Sequence, residues 1–182
     1  MGIDLEEVYG MKLFSLVSAL LIAVSPSWAQ TKKVYWSPDR ARKAVVWTGA
    51  TGESRTEIQT RSGRVLIMRD ETSADGQHGH GIDHAAWTPD SQFFVASTDS
   101  SGGHQPWARP IWVYWRAKNQ ILELGKMGAV GVADFTLKPP DLIQTKVLDC
   151  ERGGDSASRS LVISLHQVAE SGRLPNPPCK AY

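Results

Sequence analysis

One short pattern recurs along this chain and limits what it can fold into. Val34-Tyr35-Trp36-Ser37-Pro38-Asp39 is followed by Lys43-Ala44-Val45-Val46-Trp47. About fifty residues later, Ala85-Ala86-Trp87-Thr88-Pro89-Asp90 is followed by Gln92-Phe93-Phe94-Val95-Ala96. A degraded third copy runs Ala133-Asp134-Phe135-Thr136, then Pro139-Pro140-Asp141 and Leu142-Ile143. The chemistry of the repeated piece is that of a hairpin. An aromatic ends a short apolar strand, Ser or Thr opens a turn, Pro presets the next dihedral angle, and Asp bonds its own backbone. A period of this length marks stacked, similar units.

The returning segments 44–48 and 93–98 are apolar at consecutive positions. Side chains at i and i+1 of a strand point to opposite faces, so such a run suits a sheet covered on both sides. Each of the first two copies continues with two more strand-like segments: 54–61 and 64–69 about Ser62-Gly63, then 110–116 and 120–124 about Ala117-Lys118-Asn119. In the third copy 160–166 reads as a strand without an evident partner, and no long segment after residue 29 shows a helical period. The expectation is an all-β fold: three blade-like antiparallel four-stranded meanders, over about 33–75, 82–126 and 130–170, with a Pro-rich tail. The hydrophobic fraction of 41% supplies a packed interior for a chain of 182 residues.

The aromatic-Ser/Thr-Pro-Asp hairpin in units of this length resembles the WD40-like repeats of TolB-type β-propellers, over roughly residues 33–150. The resemblance rests on Trp36-Ser37-Pro38-Asp39 and Trp87-Thr88-Pro89-Asp90, with Phe135 and Asp141 standing for the third copy. That family places Gly after the Asp, where this chain has Arg40 and Ser91. The resemblance implies stacked blades in a partial propeller and commonly a binding surface, without a given chemistry. A closed propeller has at least four blades. Three imply an open arc, another compact β arrangement, or pairing of two copies into a six-bladed ring.

Ahead of the repeats, Met11-Lys12, the apolar run 13–24 and Ser25-Pro26-Ser27-Trp28-Ala29-Gln30 have the three parts of a secretory signal, with cleavage expected after Ala29. The run is about 12 residues, short of the roughly 20 a spanning helix needs. Asp4, Glu6 and Glu7 do not suit a positive leader; Met11 reads as the natural start and residues 1–10 as a gene-model extension. The expected chain is periplasmic or secreted, with no transmembrane segment after cleavage. Its formal net charge of +1 makes no case for a nucleic-acid partner. In an oxidising compartment Cys150 and Cys179 are expected to pair, closing a loop of about 30 residues worth roughly 3.5 kcal/mol in the chain-entropy account. Two separate thiols are the alternative.

Ligand-type side chains cluster once, between Asp75 and His84. His78, His80, Asp83 and His84 are the candidate metal ligands, because neutral imidazoles close in sequence suit Zn²⁺ or Cu²⁺. Their spacing resembles the His-x-His-x-Asp-His signature of metallo-β-lactamase-fold hydrolases, with Gly81-Ile82 where that family has one residue. The other reading is a Gly-rich connector, with His78 and His80 solvated and His84 on the strand leading to Trp87. A second candidate lies in loop 99–109, where His104, Trp107 and Arg109 form a ligand- or partner-binding set, since Trp and Arg anchor interfaces. The alternative there is Trp107 folded onto the core. On the strand 110–116, alternation sends Trp112 and Tyr114 to one face and Ile111, Val113 and Trp115 to the other, which suits two buried faces. No Gly-x-Ser-x-Gly elbow, phosphate loop or dinucleotide fingerprint occurs. The expected function is therefore an exported, non-catalytic binding or protein-interaction module of the cell envelope. Its partner is expected to be an envelope protein or an extracellular ligand, with a homodimer as one arrangement. The alternative is a metal-binding protein or metal-dependent hydrolase using Zn or Cu at His78, His80 and His84.

Overall fold

A computed structural model of the chain describes residues 30–103, 108–131, 133–149, 158–175 and 177. The expected signal segment, His104, Trp107, Cys150 and Cys179 lie outside the described residues. Within them the chain is mostly β and every strand pairing is antiparallel. The first sheet contains β1 (Thr31–Trp36), β2 (Arg42–Thr48), β3 (Ser54–Thr60) and β4 (Val65–Asp70), in chain order. The second contains β5 (His80–Trp87), β6 (Phe93–Ser100), β7 (Arg109–Trp115) and β8 (Gln120–Glu123). The two-residue β9 (Val130–Gly131) touches both β7 and the third group. That third group is β10 (Thr136–Lys138), β11 (Leu142–Leu148) and β12 (Ser158–Ser164), followed by α1 (Leu165–Ser171). No pairing among the described residues closes the array into a ring.

The first two hairpins are the same object atom for atom. At the β1–β2 turn, Ser37 Oγ donates to Asp39 Oδ1 (2.7 Å) and accepts from Arg42 N (3.0 Å), while Ala41 N donates to Asp39 Oδ1 (3.0 Å). At the β5–β6 turn, Thr88 Oγ1 donates to Asp90 Oδ1 (2.5 Å) and accepts from Phe93 N (3.0 Å), while Gln92 N donates to Asp90 Oδ1 (3.0 Å). Arg40 and Ser91 follow the aspartates with φ of 58° and 62°. This left-handed conformation is where Gly is least strained.

The third copy keeps the hairpin and changes the bonds. Asp141 turns to the helix: its Oδ2 accepts from Ser164 Oγ (2.6 Å) and from His166 N (2.9 Å). The strand expected over 160–166 stops at Ser164 and His166 lies in α1, a correction to the helix-free reading. Ser164 caps the helix by accepting from Gln167 N, and Gly172 ends it at φ 68°. The partner missing from the sequence is β11, which pairs with β12 over Leu142↔Ser164 to Leu148↔Ser158.

The sheets stack with a fixed polarity. The front of the second sheet (Ala85, Trp87, Phe94, Ala96, Trp112 and Tyr114) packs on Ala44 and Ile58 of the first. Its back (Phe93, Val95, Ile111, Val113 and Trp115) packs on Phe135, Ile143, Val147 and Ile163, with Leu165 and Val168 of α1. The consecutive apolar run of β6 is thereby explained, since it is buried on both sides. Each buried aromatic or aliphatic side chain contributes about 1.5–3 kcal/mol. Polar ties cross the layers: Trp87 Nε1 donates to Tyr35 O (2.9 Å), Asp39 pairs with Arg116, and Asp90 meets His166 (3.3 Å).

Candidate functional site

Among the described residues the stacking leaves the front of the first sheet, like the back of the third, without a neighbour. Trp87 and Phe135, at equivalent positions, both turn toward the preceding sheet. Among the described residues Trp36 has no preceding sheet: it is 37% exposed, against 8% for Trp87. On this front face the cross-strand pairs run Lys32↔Trp47, Val34↔Val45 and Trp36↔Lys43. Lys32 lies over the Trp47 ring (4.6 Å), and Lys43 and Arg40 lie over Trp36 (5.3 and 5.8 Å). Met68 of β4 pairs with Glu57, and Val65 with Gln59. Val34, Trp36, Val65 and Met68 are four of the five exposed large apolar side chains among the described residues; the fifth, Val162, lies on the far back of β12. Lys43 occupies the position that Phe94 holds in the second sheet, so the face mixes apolar and cationic groups. The repeat pattern set Trp36 and Trp87 at one equivalent position; the Lys43-for-Phe94 exchange is the signal that separates their exposures.

The candidate metal ligands are spread along an extended segment. At about 3.3 Å per strand residue, His80 and His84 stand on the order of 13 Å apart along β5. His78 is exposed, with Nδ1 2.5 Å from Asp75 Oδ2. His80 is half-buried between the first two sheets. Asp83 pairs with Arg109 at 2.8 Å, and the His84 ring meets Phe135 edge-on at 4.6 Å. Among the described residues no three His, Cys, Asp or Glu side chains converge as a metal site.

Arg109, expected in a binding set with His104 and Trp107, instead gathers acids. Its guanidinium meets Asp83 (2.8 Å), Asp99 (3.3 Å) and Asp134 (2.6 Å). Burial, with the Asp99 and Asp134 carboxylates, pushes the Asp83 pKa up against the pull of Arg109. The cluster ties β5, β6 and β7 to the segment before β10, and so fixes the ends of strands.

Sequence spacing gave no hint of Glu53. This carboxylate, in a residue only 2% exposed, accepts from Ser73 Oγ (2.6 Å), Ser73 N (2.8 Å), Gly79 N (2.7 Å) and Ser101 Oγ (2.9 Å). Burial alone would raise its pKa; these four donors outweigh that and hold it at about 2. Gly79 has to be glycine here, because a Cβ would collide with Glu71 O and sit 2.5 Å from Glu53 Cδ. Glu53 thus clips the loop carrying His78 to both sheets.

Among the described residues no helix is long and apolar enough to cross a membrane. No protein-family model matches the chain, and no curated protein matches it.

Proposed function

We propose that this chain is an exported, non-catalytic interaction module whose front face on the first sheet docks a partner protein of the cell envelope. On this reading the three sheets are blade-like repeats of the WD40/TolB type, each covering the one before. The observation that carries it is the exposure of Val34, Trp36, Val65 and Met68 on the front of the first sheet, which no sheet among the described residues covers. Exposed apolar side chains set among polar groups on one face suit an interaction site.

Charge selects the occupant. On this face the cations Lys32, Arg40, Lys43 and Arg55 outnumber the carboxylates Glu57 and Asp70, and Lys32, Arg40 and Lys43 surround the two tryptophans. A second copy offers the back of its third sheet, where the exposed charges among the described residues of β10 to β12 are Lys138 and Lys146. Like charges would then oppose across the contact, which disfavours the six-bladed ring. The fitting partner is a different protein presenting a sheet face with acidic side chains.

A photo-crosslinking residue at position 34, compared with one at position 162 in cells exporting the protein, tests this. The expected adduct forms from position 34 with an acidic strand of another protein, and Lys32→Glu with Lys43→Glu suppresses it. An adduct with a second copy, no adduct, or one indifferent to charge reversal overturns the reading.

A further inference from the structure

The formal net charge of +1 hides a segregation of charge along the strands. The hairpin turns of all three sheets lie at one end of the molecule, and bonds join them there. Asp39 N donates to Ser91 Oγ (3.1 Å), Asn119 Nδ2 donates to Leu66 O (3.3 Å), and His166 Nε2 lies 3.3 Å from Asp90 Oδ2. The turn segments 37–42, 61–64, 88–92, 116–119 and 138–141 therefore share one surface. They carry seven Lys or Arg against three carboxylates.

All three carboxylates are engaged within the fold. Asp39 binds Ser37 and Arg116, Asp90 binds Thr88 and His166, and Asp141 binds Ser164 and His166 N. Of the seven cations, Arg116 alone has an ion pair among the described residues. Arg40, Arg61, Arg64, Lys118 and Lys138 are exposed, and Arg42 is half-buried. At the opposite end the balance reverses. Arg55, Arg69, Arg109 and Lys126 each meet a carboxylate there, and Glu53, Glu71, Asp75 and Asp134 stand in the connections.

We propose that the turn end seats on an anionic lipid surface, with its cations against phosphate head groups. A groove between the two turns of the first sheet gathers Arg40, Arg42 and Arg61 with the hydroxyls of Thr60 and Ser62. Guanidinium and hydroxyl donors suit phosphate oxygens. Stacked sheets stand about 10 Å apart, so the tips of three cover on the order of 20 Å. A planar array of head groups meets all of them together, which a small free anion does not. The turn segments contain no Trp, Tyr or Phe, so they lack the stacking platforms of single-stranded nucleic-acid sites. The acidic end faces away from the lipid, and the charge separation orients the approach.

The chain from Gln30 onward, which holds every described element, is mixed with vesicles of phosphatidylglycerol and phosphatidylcholine in equal parts, and with vesicles of phosphatidylcholine alone. Flotation measures the bound fraction. Saturable binding to the anionic vesicles is expected, with release in about 1 M NaCl, where charges are screened beyond roughly 3 Å. Each Lys or Arg near an anionic leaflet strengthens binding about fivefold, so Arg61→Glu with Arg64→Glu should weaken it at least tenfold. Lys33→Glu with Lys146→Glu makes the same change in net charge on strands away from the turns and should leave binding within about twofold. An unchanged urea midpoint shows that both variants fold. No binding to anionic vesicles, equal binding to neutral ones, equal loss in the two variants, or tighter binding to a DNA oligonucleotide overturns the proposal. The test does not depend on the docking face, because Arg61 and Arg64 take no part in the crosslink from position 34.

Discussion

The first and second sheets carry the same hairpin and put it to different use. Ser37-Pro38-Asp39 and Thr88-Pro89-Asp90 make matching bonds, yet Trp87 is sealed against a neighbour while Trp36 stands at the surface. The turn is local chemistry and is indifferent to what lies above the sheet. The cross-strand partner is not: opposite Trp87 stands Phe94, and opposite Trp36 stands Lys43. A terminal unit of a stacked array has to carry polar groups on its outer face. Here that adaptation is incomplete, since Val34, Val65 and Met68 remain exposed beside the lysines.

The sharpest way to break this comparison is to exchange those partners. Phe94→Lys gives the second sheet what the first tolerates. It removes a fully buried aromatic and puts a charge in its place, so stability should fall by at least about 3–5 kcal/mol. Urea unfolding followed by tryptophan fluorescence measures this, and a loss below about 1 kcal/mol, the size of an ordinary substitution, would show that the middle sheet is not covered on both sides.

Next in size is the clip between the two sheets. Glu53→Ala should cost about 1–3 kcal/mol by orphaning Ser73, Gly79 and Ser101 donors. The carboxylate is held at about 2 in the folded chain, below its ordinary value of 4.5. Its contribution is therefore complete above that ordinary value and is lost as pH falls from there toward 2. Glu53→Gln should flatten this acid limb of the stability curve, while an unchanged limb would remove Glu53 from the account.

Smaller still, Arg40→Gly should stabilise by up to about 1 kcal/mol, because it relieves the left-handed conformation at φ 58° and loses part of that gain to unfolded-chain entropy. A rise in the urea midpoint is expected; a fall would mean that the Arg40 contact with Trp36 outweighs the backbone. Smallest is Lys43→Phe, the reverse of the first exchange. At an uncovered face it should alter stability by no more than about 0.5 kcal/mol and raise self-association in light scattering. A large loss of stability there would contradict the uncovered face.

What was legible in the sequence is what is local. Ser/Thr-Pro-Asp bonds close within five residues, and the doubly apolar run 93–98 matches β6, covered on both sides, whereas the same pattern at 44–48 falls in a sheet with no neighbour on its front among the described residues. Alternation placed Trp112 and Tyr114 on one face and Ile111, Val113 and Trp115 on the other, as the two cores show. Legibility ends where partners are distant. Glu53 draws its donors from 20 to 48 positions away, and no spacing rule connects them. The helix was hidden by its seven residues, although buried Leu165, Val168 and Ala169 followed by Gly172 mark one side and a C-cap. The histidines between 78 and 84 looked convergent in one dimension; an extended strand keeps them apart.

The head-to-tail stacking itself is tested most directly by hydroxyl-radical footprinting of the folded chain, read residue by residue. The account predicts rapid modification of Trp36 and Met68, with Trp87, Phe94 and Trp112 protected until the chain unfolds. Equal reactivity of Trp36 and Trp87 would contradict it, because two equivalent tryptophans would then share one environment.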